Sequence, residues 1–305
     1  MNPHVALIFV TFLWGTTFVV TKHVVAELAP LPFATVRFGL AGALMLVGTW
    51  GRLRRLATRR TIWDGAFLGA MNAVGLALQI FGQAYTTASK SAFITSLNTP
   101  LTPLVAFLVY QQRPSRQRLA AVVIASVGLY LLTYPTGGAA WNRGDLLTLG
   151  CAVLYSFIIV EIARRTPRHD ALVLTTMQVV TSAVMFALMY AAVQAALAIA
   201  PARVPEVLLL EARGFAPSPL AWAEIVYMAT VCTIVTFSLQ TWAMGRMSAT
   251  AAAIVFALEP VFATAMAVVF WGAAEWPGPR GALGAATVIV AALLSELRLP
   301  LSPRR

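Results

Sequence analysis

The sequence predicts an all-α membrane protein whose ten transmembrane helices form two inverted five-helix repeats. Three observations predict it. Apolar residues fall into about ten windows of roughly 20 residues, the length that crosses a hydrocarbon core at 1.5 Å per residue. The basic residues collect in the short gaps between those windows, more heavily on alternate gaps. Two stretches also read alike, Leu97-Asn98-Thr99-Pro100 and Leu258-Glu259-Pro260, each leading into an apolar run about 30 residues before the end of its half.

Composition sets the solvent. The 305 residues are 59% hydrophobic and 11% charged, with a mean hydropathy of +0.79. Soluble domains carry about 25% charged residues, so lipid must cover much of this apolar surface. A net charge of +11 could suit nucleic acid, but basic residues placed between apolar runs set membrane orientation instead, and no nucleic-acid partner is expected. Cys151 and Cys232 both lie inside apolar runs and offer neither a disulfide framework nor metal spacing. The segment from Asn2 to Val20 lacks a basic leader region and reads as the first helix.

The predicted spans are residues 4–21, 31–51, 62–84, 91–110, 118–134, 145–163, 171–198, 219–244, 248–271 and 279–297. The gap at Pro135-Thr136-Gly137-Gly138 divides them into a first repeat, 1–136, and a second, 143–298. The Pro-rich gap near 199–218 is the only one roomy enough for structure of its own. With a cytoplasmic N-terminus the inner gaps hold 15 Lys and Arg against 6 in the outer gaps, leaving Arg37 within span two. That asymmetry predicts a multi-pass protein of the plasma or bacterial inner membrane with both termini cytoplasmic. Five spans reverse the direction of entry, so consecutive halves face opposite ways.

The chain resembles the EamA-type drug/metabolite transporters along nearly its whole length. The resemblance rests on Leu13-Trp14-Gly15-Thr16-Thr17-Phe18, Arg37-Phe38, Gln83 through Phe93 across the turn into span four, Leu258-Glu259-Pro260-Val261-Phe262, and Glu275. Members commonly carry Gly-Glu-Arg after span four, where this chain has Gln111-Gln112-Arg113. The resemblance implies ten helices, two EamA repeats and a central cavity lined mainly by spans one, three, four, six, eight and nine. It implies a small-molecule solute such as an amino acid or drug, and leaves the substrate unnamed.

Deep polar residues point to the same cavity, because an unpaired polar group facing hydrocarbon is costly. Asn72, Gln79 and Gln83 share one stripe of span three. Ser91, Thr95, Asn98 and Thr102 do so in span four, and Thr233, Thr236 and Gln240 in span eight. Each could instead serve as a hydrogen bond between packed helices. Trp14, Phe18, Tyr155 and Phe256 are candidate aromatic walls, whereas Trp63, Trp222, Trp242 and Trp271 read as interface anchors. Glu259 lies mid-span directly before Pro260, whose ring removes an intrahelical hydrogen bond. Low dielectric disfavours a bare carboxylate, so Glu259 is a candidate proton carrier; the alternative is an ion pair with Arg37, about 9 Å into span two. Pro100 and Pro103 should kink span four as Pro260 kinks span nine, making Pro100 and Pro260 candidate bending points alongside the candidate gating pair Arg37 and Glu259. Glu161 beside Arg164 and Arg165 reads as a surface ion pair. Gly65 with Gly69, and Gly281 with Gly284, should allow close helix contacts.

Enzyme chemistry lacks parts. His4, His23 and His169 sit at span ends, no ligand cluster has metal spacing, and no phosphate-cradling loop is present. The sequence therefore predicts a cofactor-free and metal-free secondary transporter working by alternating access. A passive facilitator is the alternative, and an intramembrane enzyme or signalling scaffold is a more remote one. The protein should be a monomer, or a homodimer paired through spans five and ten.

Overall fold

A computed structural model describes residues 1–86, 88–133, 141–272 and 276–296, with no strand among them. The gap at Pro135–Gly138, together with Thr87, Glu275, Arg298, Arg304 and Arg305, lies outside the described residues, as does the Trp271 side chain.

The chain runs through α1 (Pro3–Glu27), α2 (Pro30–Leu56), α3 (Arg59–Tyr85), α4 (Ala88–Ser96), α5 (Asn98–Tyr110), α6 (Arg116–Thr133), α7 (Arg143–Arg165), α8 (Ala171–Ile199), α9 (Pro219–Ala229), α10 (Thr236–Met244), α11 (Ala249–Phe256), α12 (Glu259–Trp271) and α13 (Gly278–Glu296). Helix starts follow capping chemistry: Asn2, Thr58, Asp170, Ser218 and Ser248 each accept a first-turn N–H, and Asn142 with Asp145 forms a capping box. Helix α5 ends on Gln111 in the left-handed region at φ 54°, a conformation that favours Gly.

Among the described residues, eight helical stretches are long and apolar enough to cross a membrane: Pro3–Glu27, Pro30–Leu56, Arg59–Tyr85, Lys90–Tyr110, Arg143–Arg168, Ala171–Ile199, Pro219–Met244 and Ala249–Met266. Helix α6 and the shorter apolar stretch Gly278–Leu294 pack on each other, Gly284 against Gly128. The bundle exposes Val47, Leu108, Val123, Leu188 and Leu293, the apolar surface that lipid would cover.

Pairing across the bundle is regular. Helix α2 lies on α8, α3 on α7 and α8, α1 on α10 and α12, and α5 on α7 and α11. Lipid tails supply no hydrophobic drive between helices, so close contact of small residues matters. A Cβ on Gly65 would sit 2.4 Å from Met177 Cβ, and one on Gly69 would sit 2.4 Å from the Gln178 carbonyl oxygen. The Gly-x-x-x-Gly pair is what lets α3 meet α8.

Two interruptions place the site. Leu97 N–H bonds Ile94 O at 3.1 Å and Leu258 N–H bonds Val255 O at 3.0 Å, one tightened turn at each break. Each break precedes a proline, Pro100 or Pro260, which cannot donate to the carbonyl four residues back. In α9–α10 the residues Thr230–Val235 form a π-turn. The Pro-rich gap carries 3₁₀ turns at Pro201–Arg203 and Glu206–Arg213.

Candidate functional site

The two breaks, together with α1, α2, α3, α7, α8 and α10, enclose a central cavity of about 80 Å³. A water needs roughly 10–15 Å³ measured this way, so the space holds several waters or part of a small solute. Its walls come from Trp14, Thr17 and Thr21 of α1, Arg37 of α2, and Asn72, Leu76 and Gln79 of α3. They continue through Asn98 of α5, Tyr155, Ile158, Ile159 and Ile162 of α7, Gln178 of α8, Phe237 and Gln240 of α10, Phe256 of α11 and Glu259 of α12.

Asn98 and Glu259 are the first residues of the helices that restart after each break. Both therefore sit beside unpaired N-terminal amides, where partial positive charge favours an acid or a bound anion. Trp14 packs against both hydrophobic clusters of the protein, which fixes its ring at the junction. Its Nε1–H donates to Thr236 Oγ1 at 3.1 Å, and its ring lies 5.4 Å from Phe256 and 6.0 Å from Phe237. Three aromatic rings thus make one apolar corner.

A basic and an acidic side chain face the same space. Arg37 is held by Thr233 Oγ1 at 3.0 Å, through Nε, and by the Cys232 carbonyl at 3.3 Å, through Nη2. Among the described residues Glu259 makes no hydrogen bond or ion pair, so the expected alternative of a pair with Arg37 is not formed. Both side chains line the space without pairing with each other.

Other sequence-selected residues stand behind the wall. Thr95 accepts from Gln79 Nε2 at 3.2 Å and Thr236 accepts from Trp14, so these hydroxyls hold lining side chains in place. Gln83 is buried beyond the cavity, with its carbonyl accepting from Lys22 Nζ at 2.6 Å, and Phe18 is buried off the wall. The physical reason is the size and position of the cavity: one helical stripe runs the length of a span, whereas the cavity meets only part of it, so Gln79 and Gln240 reach the space while Gln83 and Thr236 on the same stripes do not. Glu161 does pair with Arg164 and Arg165, but at 3% exposure it is buried rather than on the surface. Tyr110 also donates to it, and Arg165 bridges onward to Asp64.

Sequence reasoning missed Gln178, an amide deep in α8 whose Oε1 is buried without a partner. It also missed the aliphatic wall of Ile158, Ile159 and Ile162, for which no sequence signal exists. No grouping of metal-ligating side chains occurs among the described residues.

The EamA-like transporter family matches residues 2–134 and again 142–297. An uncharacterized transporter of Archaeoglobus fulgidus is 28% identical over 296 residues, covering 96% of this chain and 85% of its own length. The uncharacterized transporter YyaM of Bacillus subtilis is 28% identical over 136 residues, 43% of this chain and 44% of its own. Protein PecM of Dickeya dadantii is 28% identical over 120 residues, 39% of each chain. A protein crystal structure superposes with a TM-score of 0.71 at 17% identity over 95% of both chains, which establishes likeness of fold.

Proposed function

Because the chain belongs to the EamA-like transporter family and is a multi-pass membrane protein, we propose that it is a secondary-active exporter of a small organic metabolite, such as an amino acid or drug. Two inverted repeats, 1–136 and 143–298, rock about the central cavity through ten membrane crossings, with both termini cytoplasmic. The two family matches and the paired breaks before Pro100 and Pro260 support the repeat reading. The observation that carries the function is a buried cavity in which Arg37 and Glu259 face the same space without pairing, beside a ring corner and several amides. Such a site matches a solute that is polar at one end and apolar at the other.

In this reading Trp14, Phe256 and Tyr155 pack the apolar part, and Asn72, Gln79, Asn98 and Gln240 bond the polar part. Thr95 and Thr236 position them, while Phe18 and Gln83 support the packing around. Pro100 and Pro260 are where each half bends. Glu259 exchanges its proton for solute as the cavity changes sides.

The test is reconstitution in liposomes with an imposed pH gradient, using solutes selected by thermal shift among amino acids, nucleosides and cationic drugs. Transport should accelerate with the gradient, and Glu259→Gln should abolish that acceleration while exchange of solute persists. Transport indifferent to the gradient and to Glu259→Gln removes the coupling, and failure to accumulate solute leaves a passive facilitator. Cysteines at positions 54 and 165 should label from one side of the membrane; labelling from opposite sides defeats the repeat geometry.

A further inference from the structure

A second recess lies on the opposite face of α10 from the cavity. It is an open groove of about 630 Å³ where the end of α2, the start of α8 and the end of α10 come together. Phe237 and Gln240 face the cavity, whereas Ser238, Leu239, Trp242 and Arg246 face the groove. Arg52 and Arg246 stand at its mouth, both exposed.

We propose that this groove binds the phosphate-bearing headgroup of an anionic membrane lipid, with Arg52 and Arg246 as the phosphate ligands. This proposal rests on the chain being a membrane protein and not on the transport reading.

Four observations carry it. The groove is at helix ends, the level at which headgroups lie beside a spanning bundle. One of its cations is already placed: Arg246 lies 4.5 Å over the Trp242 ring and donates to the Trp242 carbonyl at 2.8 Å, so little of its side-chain freedom remains to be lost on binding. The groove's own acid is engaged, because Asp170 Oδ1 accepts the α8 amides of Leu172 and Val173 at 3.1 and 3.0 Å, and its Oδ2 is 3.6 Å from Arg52. Finally, polar donors are left over: the Thr166 hydroxyl is buried without a partner, and the Ser238 hydroxyl has none among the described residues.

The floor decides between a lipid and a free anion. Leu172 and Leu239 line it beside the Trp242 ring. A dissolved phosphate gains nothing from that apolar surface, whereas the glycerol and first methylenes of a lipid bury against it. Guanidinium groups suit the phosphodiester because they present paired N–H donors to two oxygens.

The test uses the full chain in detergent, titrated with phosphatidylglycerol, with phosphatidylcholine of the same acyl chains, or with inorganic phosphate. Native mass spectrometry counts bound lipid and thermal unfolding reads stabilisation. Phosphatidylglycerol should bind and raise the midpoint, and the other two should not. The double variant Arg52→Gln/Arg246→Gln should weaken phosphatidylglycerol at least about tenfold, since two charge-assisted contacts are lost. Arg54→Gln/Arg55→Gln, with equal loss of charge at the same end of the bundle, should bind as the unaltered protein does. Equal binding of both lipids, an equal loss in the control variant, or an equal shift with inorganic phosphate would overturn the proposal. Should the double variant fail to fold, a photoreactive phosphatidylglycerol crosslinked to the unaltered protein should mark residues 238–246; crosslinks only elsewhere are equally fatal to it.

Discussion

Helices α1 and α7 open the two segments that match the family, yet they are held by different forces. Helix α7 is pinned by charge at both ends. At one end Asp145, fully buried, accepts from Lys90 at 2.6 Å and from Thr86 at 2.9 Å. At the other, Glu161 gathers Tyr110, Arg164 and Arg165, and Arg165 continues to Asp64 and hence to His169 at 2.7 Å. Helix α1 lies against α9 and α12 with neutral contacts: Phe12 edge-on to Phe262 at 5.5 Å, Thr16 to Tyr227 at 2.8 Å, and Gly15 against the backbone of Ala263. Its ion pair, His23 with Glu224 at 2.8 Å, is half-exposed on the histidine side and contributes little. Corresponding helices of the two family-matched segments therefore need not share energetics: close packing tolerates sliding of one helix on another, whereas buried ion pairs fix one register.

The contrast can be broken or sharpened by measurement. The largest effect should come from Asp145→Ala, which takes from the partly buried Lys90 ammonium its buried carboxylate and removes the Asp145 half of the α7 capping box. Unfolding in detergent should show a loss of about 3–5 kcal/mol. Gly15→Ala should cost about 1–3 kcal/mol, because the new Cβ would lie 2.9 Å from the Ala263 nitrogen. A larger loss at Gly15 than at Asp145 would reverse the comparison. Trp14→Phe keeps the ring corner and loses the bond to Thr236, so stability should fall by about 0.5–1.5 kcal/mol while solute affinity changes with the reshaped wall.

The smallest effect concerns the C-terminal end of α1. The turn from α1 to α2 is stapled by the Pro-rich segment: Glu211 Oε1 accepts from Leu31 N–H at 2.9 Å, Arg213 donates to Val25 O at 3.0 Å, and Glu27 accepts from Ser218 N–H at 2.6 Å. Glu211 supplies the cap that Ala29 cannot. Burial raises the Glu211 carboxyl from 4.5 to about 7, against the lowering effect of the Leu31 amide. A raised value in the folded state means that docking gains from protonation. That gain is complete below the ordinary value and is lost as pH rises through about 7. The nearest charged residues in sequence are engaged elsewhere, Arg213 on Val25 and Glu206 with Arg143. Hydrogen exchange across Glu206–Arg213, corrected for intrinsic rates, should be slower at pH 5.5 than at pH 8, and Glu211→Gln should remove the difference. An unchanged ratio in that variant would show that another group controls the staple.

Much of the cavity was readable in advance for one reason. Asn72, Gln79, Asn98, Gln240 and Glu259 interrupt apolar runs, and such residues must meet protein or water rather than lipid. Trp14 was readable because it sits mid-span, where interface anchoring does not apply. Ile158, Ile159 and Ile162 were not, since an aliphatic side chain looks the same whether it lines a cavity, packs a core or faces lipid. Thr95 and Thr236 were drawn onto the wall by helical spacing, but each accepts a hydrogen bond from a lining side chain, Gln79 or Trp14, and stands behind it. Glu161 found its sequence neighbours as expected, but its burial depends on Tyr110 and Asp64, which lie 51 and 97 residues away along the chain.

The sequence by itself determined the solvent and the helical class, and its prolines marked where the helices break, because hydropathy and the missing proline N–H act within a few residues. Only the tertiary structure decided that Arg37 and Glu259 share a space without pairing, that α7 is clamped by charge, and that Glu211 caps a helix 180 residues away. Those outcomes depend on which helix faces meet, and helix rotation is set by packing between distant segments rather than by any local run of residues.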